Sequence, residues 1–98
     1  MHVLAMRMSL SIPQARSLKA KRSVITPVLE GARRRFRVAT AEIDHQDAWN
    51  RADLGFVTVS GSAGHADEVI DQVERFVWSF PELEVMGATR SWLEEEDP

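Results

Sequence analysis

Residues Ser17–Arg37 read SLKAKRSVITPVLEGARRRFR, and the spacing within this stretch decides what the rest of the chain can be. At 100° per residue, Leu18, Ile25, Val28, Leu29, Ala32 and Phe36 fall in one sector of about 100°, as a helix packed on a core requires. Lys19, Arg34 and Arg37 point the other way, and Arg22 and Arg33 flank the stripe. The helix therefore shows solvent a basic ridge with Glu30 as its only acid. Pro27 is at odds with this reading, because a mid-helix proline removes a backbone hydrogen bond at a cost of about 3 kcal/mol. It lies on the solvent side, where a bend is best tolerated, so the spacing predicts one bent helix over Ser17–Arg35. The alternative is a break, with Thr26 as cap and Pro27 at the first helical position.

Upstream, His2 to Ile12 alternates. Leu4, Met6, Met8, Leu10 and Ile12 share one face and Val3, Ala5, Arg7, Ser9 and Ser11 the other, the pattern of a half-buried strand. Pro13-Gln14-Ala15-Arg16 breaks it, and Ser17 is placed to cap the helix. Downstream, Phe36 to Asp44 reads as a second strand and His45 to Arg51 as a polar loop. Asp53 to Ser60, rich in β-formers, reads as a third strand. Gly61-Ser62-Ala63-Gly64 then punctuates the chain, with Ser62 as the next cap. Ala66, Val69, Ile70, Val73, Phe76, Val77 and Phe80 keep helical spacing up to Pro81. Leu83 to Trp92 makes a fourth strand. The order β-α-β-β-α-β implies an α+β, ferredoxin-like fold: a four-stranded antiparallel sheet with both helices on one face and the first and third strands in the middle. A single domain over residues 1–93 and a frayed acidic tail over 94–98 are expected.

With 44% apolar and 28% charged residues in 98, the composition is that of an ordinary globular protein. Cysteine is absent, which excludes disulfide and thiolate chemistry and agrees with a cytoplasmic location. No signal peptide and no run of roughly 18 apolar residues is visible, so no membrane partner is expected. The net charge of −3 conceals a segregation. Through Arg37 there are nine Lys or Arg against Glu30, giving +8, whereas Val38 to Pro98 holds three Arg against fourteen acids, giving −11.

Four motifs carry a family resemblance: Ala-Arg-Ser-Leu-Lys-x-Lys-Arg from Ala15, Arg-x-Arg-Phe-x-Val from Arg33, Ala-Glu-Ile-Asp-x-Gln-Asp-x-Trp from Ala41, and Glu-Arg-Phe-Val from Glu74. By these the chain resembles the YlxP-like family of small bacterial domains of unknown function, over nearly its whole length, His2 to Leu93. The resemblance implies a ferredoxin-like fold. Because genes of the family often lie beside translation and ribosome-maturation genes, it also implies, by association only, a ribosome-linked RNA role. It supplies no catalytic or binding residues. Ala20 stands where an acid is frequent in the family, which makes this patch slightly more basic.

The residues themselves offer two functions. Arg16, Lys19, Lys21, Arg22, Arg34 and Arg37 could neutralise phosphates of a structured RNA, with affinity that falls with salt. The sheet lacks the paired aromatics of an RRM and no Gly-x-x-Gly clamp is present, so contact would be with backbone and shape. Against this stands internal pairing of the basic first helix with the acidic second, worth about 0–1 kcal/mol per exposed pair. The other function is protein contact or homo-oligomeric assembly through Trp78, Asp71 and Glu74 of the second helix. A regulatory domain for a small ligand is a third possibility, but no glycine-rich loop supports it. Asp44-His45-Gln46-Asp47 holds metal-ligand atoms, but adjacent loop residues are more often turn formers, and no metal or cofactor is expected. Glu42 and Asp44, two apart on a strand, are expected on one face; lacking a nucleophile or third group they predict no enzyme. Trp49 is expected to pack back on the core.

Overall fold

The computed structural model describes residues 1–93; the acidic tail over 94–98 lies outside the described residues. The elements are β1 (His2–Ser11), α1 (Leu18–Phe36), β2 (Ala39–Asp44), β3 (Arg51–Ser60), α2 (Ala63–Trp78) and β4 (Glu84–Leu93). The four strands form one antiparallel sheet in the order β2-β3-β1-β4, with the first and third strands in the middle as the βαββαβ order requires. This is the ferredoxin-like arrangement.

Strand alternation sends one face of the sheet to the helices. Leu4, Met6, Met8 and Leu10 of β1 and Ala52, Leu54 and Phe56 of β3 are buried there, in one cluster with Ile25, Val28 and Ala32 of α1 and Ile70, Val73 and Val77 of α2. Ser17 caps α1, its hydroxyl accepting from the Ala20 amide at 3.0 Å, and Ser62 caps α2, accepting from His65 at 3.3 Å. Pro27 is exposed inside an unbroken α1, so the break at Thr26 is not taken.

Element boundaries depart from the sequence reading where packing overrides local propensity. Phe36 stays in α1 instead of opening β2, because its ring packs edge-on against Phe76 at 5.7 Å. Arg37 then stops the helix in the left-handed region (φ 55°) and donates its amide to the Arg33 carbonyl at 3.1 Å. β3 begins at Arg51 rather than Asp53, since β1 pairs with it from Ser11 onward. A bulge between Glu42 and Asp44 separates two carboxylates expected on one face: Glu42 lies opposite the buried Leu54, and Asp44 opposite Asp53 on the other side.

The two faces of β3 make the layering testable. Phe56→Ala should cost about 3–5 kcal/mol in urea unfolding, whereas Val57→Ala, one residue on but facing outward, should cost under about 1 kcal/mol.

Candidate functional site

The outer side of α1 carries Lys19, Arg22, Arg33 and Arg34, continued at its ends by Arg16 and Arg37, all exposed. They are not equally available. Arg33 and Arg34 share Glu30, at 2.8 Å and 3.4 Å. Arg16 donates to the carbonyls of Pro13 (2.9 Å) and Ala15 (3.4 Å), which orients the guanidinium without neutralising it. Lys19, Arg22 and Arg37 form no ion pair with any described residue. Three of the four acids of α2 turn away from this ridge to Arg90 of β4, Asp71 at 2.8 Å, Glu74 at 3.2 Å and Asp67 at 3.8 Å, and the fourth, Glu68, forms no ion pair with any cation of the ridge among the described residues. Burial works against the Arg90 charge, but the hydrogen bonds and charges of Asp71 and Glu74 outweigh it, so its pKa rises above the ordinary value.

Lys21 must be removed from the expected RNA-contacting set. Its side chain is 1% exposed, under α1 rather than on it. The ammonium group donates to Glu42 Oε2 (2.9 Å) and to the carbonyls of His45 (2.8 Å), Gln46 (3.3 Å) and Arg51 (3.2 Å). A buried ammonium is tolerated only when paired and hydrogen-bonded in this way. It ties α1 to the end of β2, the following loop and the start of β3. The signal was in the spacing: positions 18, 21, 25, 28 and 32 form a regular stripe, and Lys21 occupies one of its places.

A second polar cluster sits at one end of the open sheet face. Arg7 grips Asp53 Oδ2 through Nε (3.0 Å) and Nη2 (2.7 Å) and reaches Asp44 Oδ2 at 3.4 Å. Asp53 is buried, its Oδ1 has no hydrogen-bond partner among the described residues, and His45 Nε2 stands 3.8 Å from that oxygen. Burial opposes ionisation of Asp53 most strongly. The Arg7 and Ser9 hydrogen bonds and the charges of Arg7 and His45 together exceed it, so the carboxyl titrates below its ordinary range. The Asp53 hydrogen bond first, then charge from both acids, raises the Arg7 pKa. The ligand-type atoms that converge are those of Asp44, His45 and Asp53, within 4.8 Å of one another, and not Asp47. The Arg7 guanidinium already occupies Asp53 Oδ2, so the cluster works as an ion-pair lock between β1, β2 and β3.

Trp49 does not pack back on the core. It is 53% exposed and lines, with Ala15, Arg16, Asp47 and Asn50, a shallow groove of about 270 Å³ beside the start of α1. Trp78 is also exposed, at the last residue of α2, but the Asp71 and Glu74 expected to accompany it in a contact are held by Arg90.

Residues 3–90 match the family described as "Protein of unknown function (DUF503)". The chain belongs to this family. It is 36% identical over 82 residues to the "Uncharacterized protein YlxP" of Bacillus subtilis (strain 168), an alignment covering 84% of this chain and 89% of that protein. Among solved structures it is similar to the solution NMR structure of a de novo designed protein with ferredoxin fold (TM-score 0.56, 11% identity, 99% of this chain and 88% of that chain), a likeness of fold alone. Two of the motifs that carry the family resemblance meet in the structure: Lys21 of the first holds Glu42, His45 and Gln46 of the third. Among the described residues no helix is long and apolar enough to cross a membrane.

Two measurements check these assignments. Lys21→Met strands four acceptors and should cost about 2–4 kcal/mol in urea unfolding, while Lys19→Met should cost under about 0.5 kcal/mol. Because the folded-state pKa of Asp53 is depressed, its stabilisation is complete above the unfolded value of about 3.9 and disappears as pH falls through the lower folded value. The stability gap between the wild type and Asp53→Asn should therefore stay level from pH 6 to about pH 5 and shrink from there toward the acid limit in chemical-denaturation titrations at about 25 °C.

Proposed function

We propose that this chain is a non-enzymatic RNA-binding module that grips the phosphate backbone of a structured RNA through the outer side of α1. The observation that carries this reading is the set of cations without an ion pair on one ridge, Lys19, Arg22 and Arg37, extended by Arg16 and by Arg34, which shares a single acid with Arg33. On a helix rising about 1.5 Å per residue, Lys19 and Arg34 stand about 22 Å apart. Between them Ser23, Thr26 and Pro27 are exposed and uncharged, and the one intervening acid, Glu30, is paired with Arg33 and Arg34. The ridge thus offers two cationic ends to separated phosphate runs.

The exposed Trp49 beside Arg16 adds a stacking surface at the N-terminal end, the kind on which an unpaired base settles with a cation next to it. The family's association with translation genes names ribosomal RNA as the first ligand to test and the cytoplasm as the setting.

Neutralising four or so phosphates, each with a salt slope of about 0.7–0.9, should weaken binding on the order of 100-fold between 50 and 200 mM salt. Fluorescence anisotropy with ribosomal RNA fragments and random RNA of equal length reads this. Lys19→Glu with Arg22→Glu should abolish binding while unfolding within about 1 kcal/mol of the wild type, since both positions are exposed and an acid at 19 is favourable in the first turn. Arg37→Gly should weaken binding while unfolding within about 1 kcal/mol of the wild type, because its left-handed backbone suits glycine. Salt-independent affinity, or affinity for ribosomal fragments no tighter than for random RNA, contradicts the proposal.

A further inference from the structure

The sheet face turned away from the helices is apolar where an antiparallel sheet ordinarily presents polar side chains to water. The register aligns Val3 with Val59 and Leu93, and Ala5 with Val57 and Ser91; Ala39 extends the second row on β2, and Ala41 lies opposite Gly55 in the next. Val59 is 63% exposed, Leu93 66% and Ile43 44%. Scattered exposed apolar residues are normal, whereas a contiguous patch across four strands marks a contact surface. Its charged members lie toward one end: Arg7 pairs with Asp44 and Asp53, and Arg51 and Glu84 stand at the margin, both opposite Ser11.

We propose that this face is the interface of a homodimer in which two copies pack sheet against sheet, with the helices outward. A second copy is the occupant for three reasons. The first is charge. Among the described residues the rows of Val3 and Ala5 carry no charged side chain, so two copies meet there without like-charge repulsion, and a polyanion gains nothing; the polar end with Arg7 supplies the rim an interface ordinarily has. The second is shape. Gly55 leaves a groove of about 300 Å³ lined by Ala5, Ile43, Val57, Thr89 and Ser91 and closed at its polar end by Arg7, and Val57 on its wall and Val59 beyond form a ridge beside it. A two-fold axis through the face sets the ridge of each copy into the groove of the other, the self-complementarity an isologous contact needs. The third is area. Four strands about 4.8 Å apart over some seven residues give a flat face of roughly 450 Å² per copy, which protruding side chains enlarge toward the lower end of specific interfaces. The dimer is accordingly one that dissociates at low concentration.

In this arrangement the two α1 ridges lie on opposite outer surfaces, beyond two sheets about 10 Å apart. If the proposed RNA reading holds, the dimer is bivalent and joins two RNA segments. The dimer itself rests on the apolar face and not on that reading.

Sedimentation of the full chain across a concentration series tests it. The wild type should move from monomer toward twice the monomer mass as concentration rises, and Val57→Glu with Val59→Glu should stay monomeric, with an unchanged circular dichroism spectrum and thermal transition. A wild type that is monomeric at the highest concentration overturns the proposal. So does a variant that still dimerises, which would place the contact on the β4 edge or the helices. Because the chain has no cysteine, single introduced thiols give a second measurement that does not depend on that variant folding. A short bis-maleimide should join copies of Val57→Cys but not of Gln72→Cys, which lies on the exposed side of α2; equal crosslinking of both overturns the assignment. Lys19→Glu with Arg22→Glu should leave sedimentation unchanged, so failure of the dimer and failure of RNA binding are read separately.

Discussion

Two helices can cover only one face of a four-stranded sheet, and much of this molecule follows from that geometric limit. Side chains on β1 and β3 alternate, so the buried set of Leu4, Met6, Met8, Leu54 and Phe56 has an outward counterpart of equal length that no element of the described chain covers. The helix layer must in turn show a hydrophilic exterior, and on α1 this is a row of cations. The domain therefore has two unlike exteriors on opposite sides of one core, one cationic and one apolar.

The two layers are joined by polar ties as well as by packing. Lys21 carries a charge from the helix layer into the edge of the sheet, where three backbone carbonyls and Glu42 receive it. A lysine stem is long and apolar enough to lie in a helix stripe while its head reaches polar groups at the periphery. The loop after β2 is thereby anchored, with His45 held in the left-handed region at φ 64°, and Trp49 is left facing water beside Arg16. The position of the exposed tryptophan is thus a consequence of a buried ammonium.

The order of elements, the strand pairing and both helix caps were legible in the sequence, because apolar period and turn residues agree along almost every segment. What was not legible lies where a charged residue takes a place defined by shape. Lys21 sits at a stripe position, and counting it with the other cations of its helix hid that. Asp53 is a buried acid whose partner, Arg7, lies 46 residues away, a pairing that no local pattern encodes. The bulge that separates Glu42 from Asp44 is likewise set by cross-strand pairing, and it turns an apparent carboxylate pair into members of two different clusters. Trp49 escaped because a loop's fold depends on what anchors its backbone, which here is a side chain from another element.

Arg90 binds the last strand to the helix layer by drawing three carboxylates of α2 onto one guanidinium. Ion pairs of this partly exposed kind weaken as electrolyte is added. Concentrated salt therefore thins the tie between β4 and α2, while the backbone ladder to β1 keeps the strand in place.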